Sequence, residues 1–256
     1  MAKLVTLPDL IQKVGNSASF LDDFFTFTNA QMWTSTEGDS GASTVISTVG
    51  GSSITMTTGT TNENEVYVES TAPVCDVINN RKITCGIIFQ YAEAATSAAN
   101  VIFGLTDQTG VNLMANAAAG PAGTYEGALI YKIDGGTRWQ TESSTGSTQT
   151  SSDTTVTAGG AAQQHLRITI SPISSTDAEV VYEMSSGGTA AGVGGALNLF
   201  QPAVQGASPR QAVIKDTLVY ANTNDLNLVF GIKAGSAASE VLTVDAVYFA
   251  QERAPI

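Results

Sequence analysis

Charged side chains are scarce in this chain of 256 residues: they make up 13% of it, about half the share that soluble domains usually carry. Basic residues are scarcer still, with 11 Lys and Arg against 23 Asp and Glu, and Arg81-Lys82 is their only adjacent pair. Proteins that bind nucleic acid need clustered basic residues to displace the counterions of phosphates. We therefore expect no direct binding to nucleic acid or to an anionic membrane surface.

Residues that bind metals or act as nucleophiles are also few. The chain has a single histidine, His165, whereas zinc sites combine several imidazole and thiolate ligands. A Ser-His-Asp triad would depend on the same histidine, and no G-x-S-x-G turn accompanies it. We expect neither chemistry and interpret His165 as a strand-edge residue that makes one hydrogen bond. No phosphate loop or dinucleotide motif is present, so no cofactor is predicted.

The two cysteines, Cys75 and Cys85, are separated by nine residues, which allows a disulfide across a strand pair. Cys85 falls on the apolar face of a predicted strand, and free cysteine is among the most buried residue types. The first residues lack the apolar run of a signal peptide, and no stretch approaches the roughly 18 apolar residues of a membrane span. These patterns favour a reduced, buried pair over a bridge, synthesis in the cytoplasm and no membrane insertion.

Alternation of apolar and polar residues dominates from Phe20 onward. Ile83, Cys85, Ile87, Phe89 and Tyr91 share one face of a predicted strand, and similar alternation recurs in 166–170 and 226–232. Strands of this kind have one buried face and one wetter face, as in antiparallel sheets. Asp134-Gly135-Gly136 and Gly50-Gly51 are typical of tight hairpin turns. We predict ten to thirteen short strands forming an all-β, two-sheet antiparallel jelly-roll sandwich, with residues 20–256 as a single domain.

Two segments are predicted to contact other subunits. Residues 1–19 form an N-terminal arm or short helix, either docked on its own domain or anchoring a neighbouring subunit. The second segment is the uncharged loop 185–211, which is long for a compact domain unless it binds something or is disordered. The apolar side chains predicted to make these contacts are Leu7, Leu10, Ile11, Val14, Leu197, Leu199 and Phe200. The Ser- and Thr-rich stretch 141–160 is interpreted as a segment of low complexity.

Acidic residues at a spacing of two or four would share one face of a strand, as the paired carboxylates of glycosidases require. Glu65 and Glu69 come closest to this pattern, flanking Tyr67 opposite the apolar Val66 and Val68. This arrangement is typical of a solvated outer face. We therefore predict that the protein is not an enzyme.

The sequence also offers a few candidate residues for binding sugar or calcium. Trp139 and Tyr125 are the aromatic residues best placed to stack on a sugar ring, although a packed position in the sandwich is the commoner role for such a tryptophan. The oxygen-bearing residues near predicted loops are Asp22, Asp23, Asp107, Asn112 and Asp225. No spacing among them matches a dedicated calcium loop, and such residues are ordinary turn formers.

Three parts of the sequence carry a resemblance to a known family. They are the opening Phe20-Leu21-Asp22-Asp23-Phe24-Phe25 followed by Trp33, the paired strands 82–91 and 101–106, and the closing strand 242–249. Together they resemble concanavalin-like (laminin-G-like) jelly rolls over about nine-tenths of the chain. The opening and the low-charge composition are similar to virion proteins of tailed phages.

This resemblance implies a structural protein of a phage particle, of the capsid decoration or cement type, located on the virion after synthesis in the host cytoplasm. The implied partners are the major capsid protein or other virion subunits, together with further copies of the chain, a trimer being one such assembly. The alternative is a carbohydrate-binding module of a receptor-binding fibre or spike. The family's calcium and sugar ligands have no matching residue set in this sequence.

Overall fold

The computed structural model describes residues 17–24, 27, 31–46, 53–77, 81–146, 148–159, 161–185, 212–220 and 225–252. Within these ranges the chain forms sixteen β-strands, more than the ten to thirteen predicted, and no helix. The strands are β1 (Ser17–Asp22), β2 (Trp33–Glu37), β3 (Ser43–Ile46), β4 (Ile54–Thr57), β5 (Glu65–Ser70), β6 (Cys75–Asp76), β7 (Ile83–Ala92), β8 (Ala99–Thr106), β9 (Tyr125–Lys132), β10 (Arg138–Gly146), β11 (Gln149–Thr157), β12 (Gln164–Pro172), β13 (Asp177–Ser185), β14 (Ala212–Val219), β15 (Asp225–Ala234) and β16 (Val241–Glu252).

The strands form two antiparallel sheets that pack face to face. The first sheet has the order β14-β13-β12-β7-β16-β4-β3, and β1 also pairs with β16. The second has the order β11-β10-β9-β8-β15-β5-β2, and β6 pairs with the start of β15. At one side of the sandwich a hydrogen bond of 2.7 Å between the hydroxyls of Ser35 in β2 and Thr44 in β3 links the two sheets. This architecture confirms the predicted two-sheet antiparallel sandwich.

The faces predicted from alternation are the faces that the structure buries. All five apolar residues of the pattern in β7, from Ile83 to Tyr91, lie in the core. Gly135 has a φ of 73° in the turn that joins β9 to β10, which confirms the predicted hairpin. β3 and β4 pair as expected on either side of Gly50-Gly51, although the turn itself lies outside the described residues.

Aromatic rings from both sheets fill the interior. Phe230 of β15 packs edge-on against Trp33 at a centroid distance of 5.5 Å and against Phe24 at 6.1 Å. Cys75 and Cys85 are both buried and free, which confirms the predicted reduced pair. One continuous core therefore joins the two sheets.

Two predictions about the chain's organisation need correction. The Ser- and Thr-rich stretch 141–160, interpreted as a segment of low complexity, is regular structure for the most part: it belongs largely to β10 and β11, which pair antiparallel with one register shift between Arg138 and Gln140. The boundary proposed at residue 20 falls inside β1, because Ser17, Ala18 and Ser19 pair with β16. Residues 1–16, which would form the rest of the arm, lie outside the described residues. None of the described segments is a helix long and apolar enough to cross a membrane.

Replacing Phe230 with alanine tests the core. Phe230 is fully buried, so Phe230→Ala should lower the free energy of unfolding by about 3–5 kcal/mol in urea denaturation. Ile173, whose side chain is 67% exposed, offers the matched control, and Ile173→Ala should change it by no more than about 0.5 kcal/mol. Equal effects of the two substitutions would contradict this core assignment.

Candidate functional site on the second sheet

Side chains at alternate positions of β5 point away from the core. Val66 and Val68 face the core, so Glu65, Tyr67 and Glu69 lie on the outer face of the second sheet, as the sequence predicted. Yet all three are buried, with exposed fractions of 4%, 0% and 7%. The interpretation of this face as solvated is therefore wrong.

Residues 107–124, which connect β8 to β9, cover this face and are called the strap below. Their backbone N–H groups donate hydrogen bonds to side chains at alternate positions of β5 and of the turn before it. The pairs are Gly110 N with Glu69 Oε2 at 2.7 Å, Asn112 N with Glu65 Oε1 at 2.7 Å, Met114 N with Tyr67 Oη at 3.3 Å and Ala117 N with Glu63 Oε1 at 3.0 Å. The side chains of β5 thus satisfy backbone donors that would otherwise lack partners over a sheet face.

A buried ammonium completes the attachment of the strap. Lys233 of β15 is 1% exposed, and its Nζ donates to the carbonyl of Met114 at 3.0 Å and to Oδ1 of Asn116 at 2.6 Å. The same Nζ lies 3.3 Å from Glu65 Oε2 and 3.6 Å from Glu63 Oε2. One cation therefore binds the strap and the carboxylates of the strand beneath it.

Apolar packing under the strap reinforces these polar contacts. Leu113 and Met114 pack on Tyr67, Ile102 and Val229 in a second cluster, separate from the main core. The Tyr67 ring lies directly over Gly231, where a Cβ atom would come within 2.2 Å of Tyr67 Cδ1. Glycine at 231 therefore leaves the space that the Tyr67 ring occupies beneath the strap.

The strap's backbone is strained at three residues other than glycine. Asn112, Ala117 and Ala118 have φ values of 60°, 55° and 59°, in the left-handed region that costs about 1 kcal/mol or more per residue outside glycine. Such a conformation persists only where surrounding contacts fix it. The contacts to β5 and Lys233 supply that constraint.

Burial changes the acidity of two groups beneath the strap. It raises the pKa of Glu69, an effect that the hydrogen bond from Gly110 partly offsets. Burial also raises the pKa of Tyr67, and the neighbouring Glu65 carboxylate raises it further. Because Glu65 and Glu69 already accept bonds from the strap, this arrangement binds a loop and does not present a carboxylate pair to a substrate.

Glu142 of β10 lies on the same outer face and was not singled out from the sequence. Its Oε1 accepts a hydrogen bond of 2.8 Å from the Tyr125 hydroxyl, and Tyr131 also contacts its carboxylate. Burial raises the pKa of Glu142, while these two hydroxyls lower it. The alternation of residues 140–144 could have placed Glu142 on the outer face. Nothing in the sequence indicates that tyrosine hydroxyls surround its carboxylate.

Trp139 has the packed position considered the commoner role, and the alternative of sugar stacking by Trp139 or Tyr125 does not fit their burial. Trp139 is 0% exposed, packs against Phe89 and Tyr91 in the core, and donates from Nε1 to Gln164 Oε1 at 3.0 Å. Tyr125 is 2% exposed and is held by Glu142. Neither ring offers a face to a ligand, because the sandwich and the strap enclose them.

His165 lies in the middle of the first sheet, not at its edge. β12 is paired on both sides, and His165 is buried on the outer face, 3.0 Å from the Tyr248 hydroxyl. Burial lowers the pKa of this histidine to about 3, and the nearby Arg167 contributes to the shift. Arg167 itself forms a buried ion pair with Glu183. His165 is therefore a neutral structural residue at neutral pH.

The remaining predicted site residues divide into two groups. The contact residues Leu7, Leu10, Ile11, Val14, Leu197, Leu199 and Phe200 all lie outside the described residues. Two of the calcium candidates accept protein hydrogen bonds: Asp22 accepts from Phe24 N, two residues on, and Asp107 accepts from Glu126 N beyond the end of the β8–β9 pair, each at 2.8 Å. Across the described ranges, no group of three His, Cys, Asp or Glu side chains is spaced to hold a metal.

Comparisons with known proteins establish the fold. No protein-family model and no curated protein matches this chain. A solved protein of unknown function from Shewanella oneidensis MR-1 is similar, with a TM-score of 0.57, 10% identity and 100% coverage of both chains. The carbohydrate recognition domain of Emp47p has a TM-score of 0.56 at 9% identity, covering 92% of this chain and 96% of its own.

Peanut lectin is similar as well, with a TM-score of 0.54 and 11% identity, over 94% of this chain and 99% of the lectin. Identities this low show a shared fold and nothing more. The chain therefore has the concanavalin-like jelly-roll fold of legume lectins, as the resemblance in its sequence implied.

Replacing Lys233 tests the attachment of the strap. Lys233→Met should lower the free energy of unfolding by about 3–5 kcal/mol, because it leaves the buried Glu65 carboxylate without its cation. Urea denaturation measures the change, and hydrogen exchange should show faster exchange at Gly110 and Asn112.

Lys215 provides the matched control, because it pairs with Glu179 at 3.3 Å while its side chain is 64% exposed. Lys215→Met should cost no more than about 1 kcal/mol. Strap amides that stay protected in Lys233→Met would show that Lys233 does not hold the strap.

Proposed function

We propose that this chain is a structural protein of a phage particle, a capsid decoration or cement protein that binds and stabilises the shell surface. The observation that favours a structural over a catalytic role is the strap, which covers the outer face of β5 and β15 with the chain's own backbone. The carboxylates on that face hold the strap in place, so we assign them no catalytic role.

The composition agrees with a role in a many-copy assembly. Only 13% of the residues are charged, and small side chains dominate the loops, so neighbouring copies can approach closely. Its partners would be the major capsid protein or other virion subunits, and its own assembly a homo-oligomer such as a trimer. We assign the contacts to the predicted N-terminal arm, residues 1–19, and to the predicted loop 185–211.

Purified particles test this role directly. Gel densitometry and particle reconstruction should find the chain in a fixed stoichiometry to the capsid protein, in symmetric positions on the shell. If a phage encodes the chain but its purified particles do not contain the protein, the proposal is refuted.

The contact assignment has its own test. Serine at all four of Leu7, Leu10, Ile11 and Val14 should abolish binding to shells, because the apolar contact area is lost. The melting temperature of the free variant, measured alongside, separates a loss of shell contacts from a loss of folding. The matched substitution of Ile173→Ser, at an exposed apolar residue of the sandwich, should leave shell binding intact.

A second candidate function is a carbohydrate-binding module of a receptor-binding fibre or spike. The observation in its favour is a row of polar side chains on the outer face of β10 and β11, beside the strap. Gln140 pairs with Asp153 and Glu142 with Ser151, and both β11 residues are exposed. Amide, hydroxyl and carboxylate groups of this kind bind sugar hydroxyls, and two of the similar structures are carbohydrate-binding by name.

Glycan-array binding tests this alternative. Asp153→Ala should reduce binding of any glycan that the protein recognises by at least about tenfold, the effect of losing one hydrogen bond to a charged group. Glu179→Ala, which removes an exposed carboxylate from the first sheet, should leave binding unchanged. Binding that survives Asp153→Ala would exclude this surface.

A further inference from the structure

Lys233 and Asn116 bring an amine and a carboxamide into direct contact beneath the strap. Lys233 Nζ is 2.6 Å from Asn116 Oδ1. Because the carbon of an amide is one C=O bond of about 1.2 Å from its oxygen, Nζ lies no more than about 3.8 Å from Asn116 Cγ. A nitrogen and a carbonyl carbon at this separation are close to the distance at which such groups react.

A carboxylate lies beside the same nitrogen and can accept a proton from it. Glu65 Oε2 is 3.3 Å from Lys233 Nζ, and both side chains are buried. The carboxylate is fixed at each oxygen, because Oε1 accepts from Asn112 N at 2.7 Å and Oε2 accepts from the Tyr67 hydroxyl at 3.1 Å. An ammonium must lose a proton before it can act as a nucleophile, and a positioned carboxylate is a suitable general base.

The strap holds Asn116 in place from both sides. The Met114 carbonyl accepts from Lys233 Nζ at 3.0 Å, and Ala117 N donates to Glu63 Oε1 at 3.0 Å. Ala117 also has a φ of 55°, a conformation that persists only where such contacts fix it. The backbone nitrogen after an asparagine is the usual attacker of its side-chain carbon. Here the hydrogen bond to Glu63 engages that nitrogen, whereas Lys233 faces the amide.

We propose that Lys233 Nζ and Asn116 Cγ form an intramolecular isopeptide bond, which joins the strap covalently to β15. Glu65 takes one proton from Nζ, and the free amine attacks Cγ. The Cγ–Nδ2 bond then breaks, and the second proton that Nζ gives up passes to Nδ2, which leaves as ammonia. Glu65 keeps its proton, so it is not left as a buried charge without its cation. Asn116 is exposed, which gives the ammonia a path to solvent.

The bond ties together two segments that lie far apart in sequence. It forms within one folded chain, so it does not depend on the place that we propose for the chain on a particle. A cross-link that closes so long a loop restricts the unfolded chain much more than the folded one. The strap therefore stays on the sheet even when its hydrogen bonds open.

Mass spectrometry of the full chain, folded and then denatured, tests the bond. The mass should be lower than that of the sequence by one ammonia molecule. Trypsin should fail to cleave after Lys233, and it should release residues 83–132 joined to residues 216–253. Lys233→Met and Asn116→Ala should both have the full mass of their sequences.

Two further variants test the proton acceptor and the choice of asparagine. Glu65→Gln keeps a side-chain oxygen for Asn112 N but cannot take a proton. The bond should therefore form at least about 100-fold more slowly in this variant, as followed by mass over time after refolding. Asn62→Ala is the matched control, because it removes an exposed asparagine amide from the turn before β5. The bond should form in it as in the unsubstituted chain.

Two results would overturn the proposal. One is an unsubstituted chain that keeps its full mass after prolonged incubation in the folded state. The other is a loss of ammonia that persists in Lys233→Met, which would assign the loss to ring closure of an asparagine on its own backbone. If Lys233→Met fails to fold, the tryptic peptides of the unsubstituted chain still decide, because ring closure leaves residues 83–132 and 216–233 separate.

Discussion

The ammonium of Lys233 is the constraint on which the second sheet's outer face depends. A lysine that is 1% exposed must have its charge and its hydrogens satisfied, because desolvating an unpaired ammonium costs several kcal/mol. The strap supplies a carbonyl and an amide oxygen, β5 supplies the Glu65 carboxylate, and the turn before β5 supplies that of Glu63. The carboxylates in turn accept the strap's N–H groups, so the lysine, the strand and the strap require one another. Neither the strained backbone of the strap nor the burial of Glu65 would persist without this arrangement.

Alternation in the sequence predicts which residues share a face, but not what covers that face. In β7 the alternation is sufficient to predict the buried face, because that face packs against the opposite sheet and its residues are all apolar. In β5 the same reasoning placed Glu65 and Glu69 correctly on the outer face and then wrongly in solvent. Their cover is a connection more than forty residues away in sequence, held by backbone groups that every residue possesses. No side-chain pattern reports a contact of that kind.

Two further differences have the same physical origin. Trp139 follows a hairpin turn, where an exposed ring is plausible from sequence, but its neighbours Phe89 and Tyr91 come from the facing sheet. From sequence, the Ser- and Thr-rich stretch 141–160 is interpreted only as a segment of low complexity, because its polar residues hide the alternation. Threonine is nevertheless a good strand former, and Thr154 and Val156 turn inward from an edge strand whose outer residues are exposed. In both segments, burial depends on which residues of the opposite sheet pack against them, and a single sequence does not specify those contacts.

The strap covers part of the outer face of the second sheet, and this cover limits where a partner can bind. A sheet face covered by its own chain cannot also be a recognition groove, so the contacts that we propose fall on the polar row of β10 and β11 or on residues beyond the described ranges. The row and the strap share the second sheet: Glu142 joins them through Tyr125, which lies where the strap meets β9. A ligand on the row would therefore contact a surface that the strap already holds rigid. Such a surface binds without the cost of ordering a loop, whether its partner is a glycan or a neighbouring subunit.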